Sequence, residues 1–351
     1  AKRLSHAEFS RLMAPAGPFE PAPNLAVAVS GGSDSLALCL LAAAWARQRK
    51  GRVTALTVEH GLRPESAAEA GQVARWLKAR GITHCILPWR GKKPKSGVQA
   101  AARTARLARL TNWCARHHVL HLLKGHQLED QAATVLLRLS AGSGGTGLAA
   151  MPLVQDLEAA DGSVVRLIRP LLSVPECRLK AVLRDNAQAW LDDPSNRNLT
   201  YARTRLAAAL ETLSGEGMTV SRLARTARRA GQDRAALDTA CGELLARTAA
   251  PHPAGFIRLD WSAWRSAPDA VSLRLLGRLV AGVGARPFGA RLERLERLCK
   301  QLRDTYPKRA ATLGGCRIVP YRGQLLVCRE PAAVGEAVTM KPGDKRVWDS
   351  R

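Results

Sequence analysis

The sequence has 351 residues, is 46% hydrophobic, and carries 54 Lys and Arg against 29 Asp and Glu, a formal net charge of +25. This apolar content is enough for two or three buried cores and excludes a largely disordered chain. An excess of positive charge attracts polyanions, so nucleic acid is the first partner to consider and a membrane surface the second. The competing explanation is a GC-rich genome that favours Arg and Ala codons.

The cysteines lie far apart, and none forms a Cys-x-x-Cys pair. This spacing argues against a disulfide-stapled scaffold and against a zinc or iron–sulfur site. No apolar run is long enough to span a bilayer, and the N-terminus lacks a signal-peptide core. We therefore expect a cytoplasmic protein with no membrane partner. The eight cysteines are Cys39, Cys85, Cys114, Cys177, Cys241, Cys299, Cys316 and Cys328.

In the first half of the chain, short apolar strands alternate with helices. The predicted strands are Leu25–Ser30, Val53–Val58, Ile82–Trp89 and Val119–Lys124. The predicted helices are Ser35–Arg49, Ser66–Arg80, Val98–His117 and Glu129–Leu139. This alternation predicts an α/β fold with a doubly wound parallel sheet. Ligands of such sheets bind beyond the carboxyl ends of the strands, where Ser30, His60 and His126 fall.

The pattern changes after the glycine-rich segment 141–147. A strand at 164–168 and a helix at 176–186 precede an arginine-rich helix over about 219–247, and a hairpin is predicted at 317–329. We expect an α/β domain over 1–215 and a smaller α-rich domain, with many arginines for a polyanion, over 216–335. Residues 336–351 are expected to begin a further C-terminal domain.

The most specific motif reads SGGSDS and lies between the first predicted strand and the first helix of the α/β pattern. Glycines let the backbone approach an anion, and the free N–H groups of the helix start point toward it. The motif lacks the Gly-Lys-Ser/Thr ending of the P-loop and the Gly-x-Gly-x-x-Gly of dinucleotide-binding folds. The alternative is an ordinary Gly- and Ser-rich turn. The predicted phosphate-binding residues are Ser30, Gly31, Gly32, Ser33, Asp34 and Ser35.

With this loop the sequence resembles the N-type ATP pyrophosphatases, which cleave ATP between the α- and β-phosphates. Further segments narrow the resemblance to tRNA(Ile)-lysidine synthetase over about residues 22–215. They read VEHGLR at 58–63, AAARTAR at 100–106, GHQLEDQ at 125–131, RPLL at 169–172 and WLDDPSN at 190–196.

This resemblance implies that the chain uses ATP and Mg²⁺ to adenylate the C2 oxygen of the wobble cytidine in an isoleucine tRNA with a CAU anticodon. The ε-amine of free L-lysine then displaces AMP and leaves lysidine. The implied catalytic residues are Asp34, which also holds the metal, Asp130 and Arg103. The implied ATP-binding residues beyond the loop are His60, Arg106 and His126. The plainer interpretation is that these side chains cap strands or helices or form solvated faces.

Several positions depart from the family pattern, and among them Gln99, Ala133 and Ala141 replace a Glu, a Glu and an Arg. An alternative is therefore a divergent ATP- and tRNA-binding protein with weakened catalysis. A second alternative is a tRNA thiolase of the same superfamily, although such enzymes generally use cysteine pairs. A third is a non-catalytic RNA-binding protein. The sequence does not decide the oligomeric state, and a homodimer is the assembly considered.

Overall fold

The computed structural model describes residues 1–59, 61, 65–89, 98–192, 202–284, 290–336, 338–340 and 343. The chain divides into two compact units, residues 1–231 and 232–351. Within the described residues, no helix is long and apolar enough to cross a membrane.

The first unit is built on a six-stranded sheet. Its strands are β1 (Asn24–Ala28), β2 (Arg52–Glu59), β3 (Thr83–Pro88), β4 (His121–Lys124), β5 (Val154–Glu158) and β6 (Val164–Ile168). Their order is β3-β2-β1-β4-β6-β5, and every neighbouring pair is parallel except β5 and β6. The predicted α/β fold with a parallel sheet is therefore confirmed, with one antiparallel strand added at the edge.

Helices cover both faces of this sheet. The helices of this unit are α1 (His6–Met13), α2 (Ser33–Arg47), α3 (Ser66–Ala79), α4 (Val98–Arg116), α5 (Leu128–Ser140), α6 (Gly145–Leu148), α7 (Glu176–Asp185) and α8 (Ala202–Gly215), and α9 (Val220–Thr248) begins in it. Along β1, Leu25 and Val27 are buried in one apolar core while Ala26 is buried in another. Because strand side chains alternate between faces, a strand that is apolar throughout indicates a sheet covered on both sides.

The start of α9 packs beside α5 and α8. Leu223 and Ala227 are buried with Val135, Leu136 and Leu210 in one apolar cluster. These α9 residues lie four apart and so share one face of the helix. The opposite face at the start of α9 carries exposed arginines, Arg225, Arg228 and Arg229.

The second unit holds an antiparallel sheet of five strands, ordered β7-β8-β11-β10-β9. The strands are β7 (Ala249–His252), β8 (Phe256–Asp260), β9 (Ala311–Leu313), β10 (Cys316–Tyr321) and β11 (Gln324–Arg329), and the helices are α10 (Trp261–Ser266), α11 (Asp269–Gly284) and α12 (Leu292–Asp304). The expected hairpin is present as β10 and β11. The sequence analysis missed β7, β8 and β9, because runs this short carry too few residues for an alternating pattern.

Candidate functional site

The predicted phosphate loop joins β1 to α2 at the carboxyl edge of the sheet. α2 begins at Ser33, and its N-cap, Gly32, contributes no side-chain hydrogen bond. The first amides of an α-helix have no acceptor within the helix, and the helix dipole makes this end positive. The start of α2 is therefore suited to bind an anion.

Hydrogen bonds within the loop fix its shape. The Ser35 hydroxyl donates to the Gly32 carbonyl at 3.0 Å, and the Ser30 N–H donates to the Ser35 hydroxyl at 3.1 Å. Gly31 has a φ of 91°, and its carbonyl accepts from the Leu191 N–H at 2.9 Å. A Cβ on Gly31 would lie 2.6 Å from Leu191 Cδ1. Both the backbone angle and the close approach require glycine here.

Asp34 occupies the first turn of α2 among other carboxylates. Burial, together with the charges of Glu176 and Glu129, raises the pKa of Asp34 to about 6, against the opposing effects of Ser33 and Lys180. The Glu129 carboxylate accepts from the Glu176 N–H at 3.1 Å. Like charges around a buried carboxylate disfavour its ionised form, so a bound cation would stabilise this group.

His126 and Asp130 lie at the start of α5, the second helix that begins at this edge. The Gln127 side chain accepts from the Asp130 N–H at 3.1 Å, and the Asp130 carboxylate accepts from the Gln127 N–H at 3.2 Å. This reciprocal pair is a capping box. Asp130 therefore has a structural role in addition to the predicted catalytic one. His126 is buried.

A Cβ on Gly125 would lie 2.9 Å from the Asp34 carbonyl oxygen. The chain entering α5 therefore contacts the first turn of α2 through backbone alone. As a result, the predicted residues on the phosphate loop, His126 and Asp130 are held at one edge of the sheet.

Arg103 and Arg106 lie on α4, where Arg103 is exposed and Arg106 is half-buried. Burial and, to a smaller extent, the charge of Arg103 lower the pKa of Arg169 to about 10. The charge of Arg103 therefore acts on Arg169, the residue that follows β6. Arg169 opens the RPLL motif, and no role for it was predicted from the sequence.

One predicted site residue and two of the positions that depart from the family pattern lie away from this edge or outside the described residues. His60 lies outside the described residues. Ala133 is buried within α5, and Ala141 is the exposed C-cap of that helix. In the part of the chain that the structure describes, no three or more His, Cys, Asp or Glu side chains are grouped as a metal site.

Residues 3–212 match the family model described as a PP-loop domain. A tRNA(Ile)-lysidine synthase from Methylobacterium sp. is 39% identical over 341 residues, which cover 94% of this chain and 96% of its own. Another from Bradyrhizobium sp. is 40% identical over 317 residues, 86% of each chain. The chain belongs to the tRNA(Ile)-lysidine synthase family. The predicted family and enzyme class, an ATP-using ligase, are thereby confirmed.

Among solved structures, a U34-tRNA thiolase from Methanococcus maripaludis with its 4Fe-4S cluster superposes with a TM-score of 0.53 at 17% identity. The superposition covers 64% of this chain and 77% of the thiolase. A likeness at this identity shows a common fold. The thiolase alternative therefore has weaker support than the lysidine synthase family, whose members match most of the chain at more than twice that identity.

Sequence reasoning missed the carboxylates that surround Asp34. Glu129 is in a quoted motif, but nothing in its spacing indicated that it faces α2. Glu176 and Lys180 pair at 2.7 Å at the start of α7, and α7 packs along α2. Only the packing of three separate helices brings these charges to one place, so no local signal could have identified them.

Proposed function

We propose that the chain ligates free L-lysine to C2 of the wobble cytidine in isoleucine tRNA with a CAU anticodon. ATP is converted to AMP and diphosphate, and the product pairs with A, which changes AUG to AUA decoding. The observation that carries this proposal is the uncapped start of α2 behind the SGGSDS loop in a chain of this family.

The first step requires ATP with its phosphates held by the loop. The first-turn amides of α2 and the hydroxyls of Ser30 and Ser33 supply the donors, while the Ser35 hydroxyl holds the loop in shape. Mg²⁺ prefers oxygen ligands and is commonly held by one or two carboxylates together with phosphate oxygens. The Asp34 carboxylate, whose ionised form is disfavoured by burial and by its like-charged neighbours, fits that role. The ion would neutralise phosphate charge as diphosphate leaves.

The remaining predicted residues act on the base and on the amine. Arg103 and Arg106 stabilise the negative charge that develops on the leaving diphosphate. His60 and His126 contact ATP. Lysine must lose a proton before its ε-amine attacks, and Asp130 orients that amine or accepts the proton. The capping box of α5 holds the Asp130 carboxylate in place, so that it can orient the amine or accept its proton.

The tRNA binds to a basic surface that includes the start of α9. Arg225, Arg228 and Arg229 are exposed there, and among the described residues no carboxylate pairs with them. We assign residues 1–215 to catalysis and 216–335 to tRNA binding. The site of action is the cytoplasm, where tRNA is modified, and a homodimer is compatible with the proposal.

Replacing Arg228 with Gln is expected to weaken tRNA binding severalfold and to lower the salt dependence of binding, because a phosphate contact releases counterions. Affinity is measured by filter binding across a salt series. Arg278→Gln is the matched control, because Arg278 already pairs with Asp238 at 2.5 Å and should change little. Equal losses in the two variants would contradict a specific role for α9.

The function itself is tested by incubating the protein with labelled ATP, lysine and unmodified isoleucine tRNA. We expect AMP release that requires both lysine and tRNA, with a mass gain on the wobble cytidine. A methionine tRNA in parallel should give neither. AMP release without a mass gain, or ATP binding without AMP release, would instead support the divergent protein suggested by Ala133 and Ala141.

A further inference from the structure

Arg169 is a buried cation at the same edge of the sheet as the phosphate loop. It follows β6, which is parallel to β4, and the residue is 6% exposed. Its Nη1 and Nη2 donate to the Pro152 carbonyl at 3.0 Å and to the Gln155 side chain at 2.7 Å, both neutral acceptors. Its Nε has no hydrogen-bond partner. Among the described residues, no carboxylate pairs with this guanidinium.

A buried charge without a counter-ion is costly, and a buried donor without an acceptor is rare. The neighbouring charge of Arg103 adds repulsion, because it further disfavours the charged form of Arg169. An anion at Arg169 would accept a hydrogen bond from its Nε and would also offset the repulsion between the charges of Arg169 and Arg103. The arrangement therefore has the properties of an oxyanion site that is formed before its ligand arrives.

The position in the sheet distinguishes this site from the phosphate loop. β6 is the second neighbour of β1, with β4 between them, so the two strand ends lie about 10 Å apart at the usual strand spacing. An anion at Arg169 is therefore separate from a phosphate held by the start of α2. In free lysine, the four-carbon stem of the side chain and then Cα separate the reacting amine from the carboxylate. An amine that reacts near the loop places its carboxylate toward β6.

We propose that Arg169 binds the carboxylate of the free amino acid while its side-chain amine faces the activated base. This inference rests on the proposed function and names the group that selects an amino acid over a simple amine. Diphosphate offers the same oxyanion chemistry, and the experiment below separates the two ligands.

The test compares lysine with cadaverine, which has the two amines but no carboxylate. In Arg169→Gln, the KM for lysine should rise about ten- to a hundredfold, the range for losing a charge-assisted hydrogen bond. The kcat should change less, the KM for cadaverine should stay unchanged, and Arg169→Lys should recover part of the loss. Arg166→Gln is the control, because Arg166 lies in the middle of β6 and its guanidinium donates to the Ala16 carbonyl.

Equal losses for lysine and cadaverine in Arg169→Gln would overturn the proposal and indicate a structural arginine. Weaker inhibition by diphosphate with an unchanged lysine-to-cadaverine ratio would also overturn it and assign the site to diphosphate. If the wild type forms no lysidine, the proposed function fails. Calorimetry of both amines, with tRNA and a non-cleavable ATP analogue, then still tests the carboxylate site. If the wild type binds lysine more tightly than cadaverine and Arg169→Gln abolishes this preference, the carboxylate site is supported. If the wild type binds the two amines equally, the carboxylate site is overturned.

Discussion

Replacing Asp34 with Asn is expected to reduce AMP formation about a thousandfold or more while leaving tRNA affinity nearly unchanged. The magnitude follows from removing a charged group that acts on the transferring phosphates in a partly buried site. Asn keeps the size of the side chain, so the loop should retain its hydrogen bonds. The measurements are single-turnover AMP release and tRNA binding. A parallel loss of tRNA affinity would show that binding and catalysis are not separated in this way.

The same variant should be more stable than the wild type at pH 8. The folded-state pKa of Asp34 is about 6 against an ordinary value of 3.8, so the folded protein binds the proton more tightly than the unfolded chain. This contribution to stability is complete below pH 3.8 and is lost as pH rises through 6. Ionised Asp34 therefore lowers the free energy of unfolding at pH 8, on the order of 1–3 kcal/mol.

Asn cannot ionise, so the difference in Tm between Asp34→Asn and the wild type should be large at pH 8 and small at pH 4. Thermal unfolding without Mg²⁺ measures it. Equal Tm values of the variant and the wild type at pH 8 would mean that the ionised Asp34 carboxylate does not destabilise the folded protein. Mg²⁺ and an ATP analogue should raise the Tm of the wild type more than that of the variant, because a ligand stabilises the state that binds it.

Replacing Gly125 with Ala is expected to damage the phosphate loop directly. The new Cβ would lie 2.9 Å from the Asp34 carbonyl oxygen and 3.1 Å from the Ser35 amide nitrogen. These are backbone atoms of α2 and cannot rotate away, so α2 and the start of α5 must separate. We expect a loss of about 1–3 kcal/mol in the free energy of unfolding and at least tenfold weaker binding of an ATP analogue.

Denaturant unfolding and calorimetry check this result. Gly231→Ala is the control, because Gly231 lies within α9 and its Cβ would meet nothing within 4 Å. Alanine favours a helix interior, so this variant should gain up to about 1 kcal/mol. Unimpaired nucleotide binding in Gly125→Ala would show that the two helix starts are not rigidly coupled.

The sequence predicted the parts of this molecule that local pattern governs. Strands β1 to β4 and β6 were predicted because each carries a mostly apolar run, whereas the more polar β5 was not. The SGGSDS loop lies where a strand meets a helix, so it too could be inferred from neighbouring residues. Glu176 could not be connected with Asp34, because that proximity depends on α7 packing against α2. Arg169 was likewise an ordinary motif residue until its burial, its unpaired Nε and its proximity to Arg103 were visible.

The hydrogen bond from Leu191 to Gly31 has a consequence for how the protein is made. During translation the N-terminal segment emerges first and can begin to fold. The SGGSDS loop, however, depends on a residue that is synthesised much later, because the Leu191 N–H donates to Gly31. The nascent chain therefore cannot complete its nucleotide site until the segment around residue 191 has left the ribosome. A truncated or stalled product that ends before this point would lack the finished loop and would not sequester ATP.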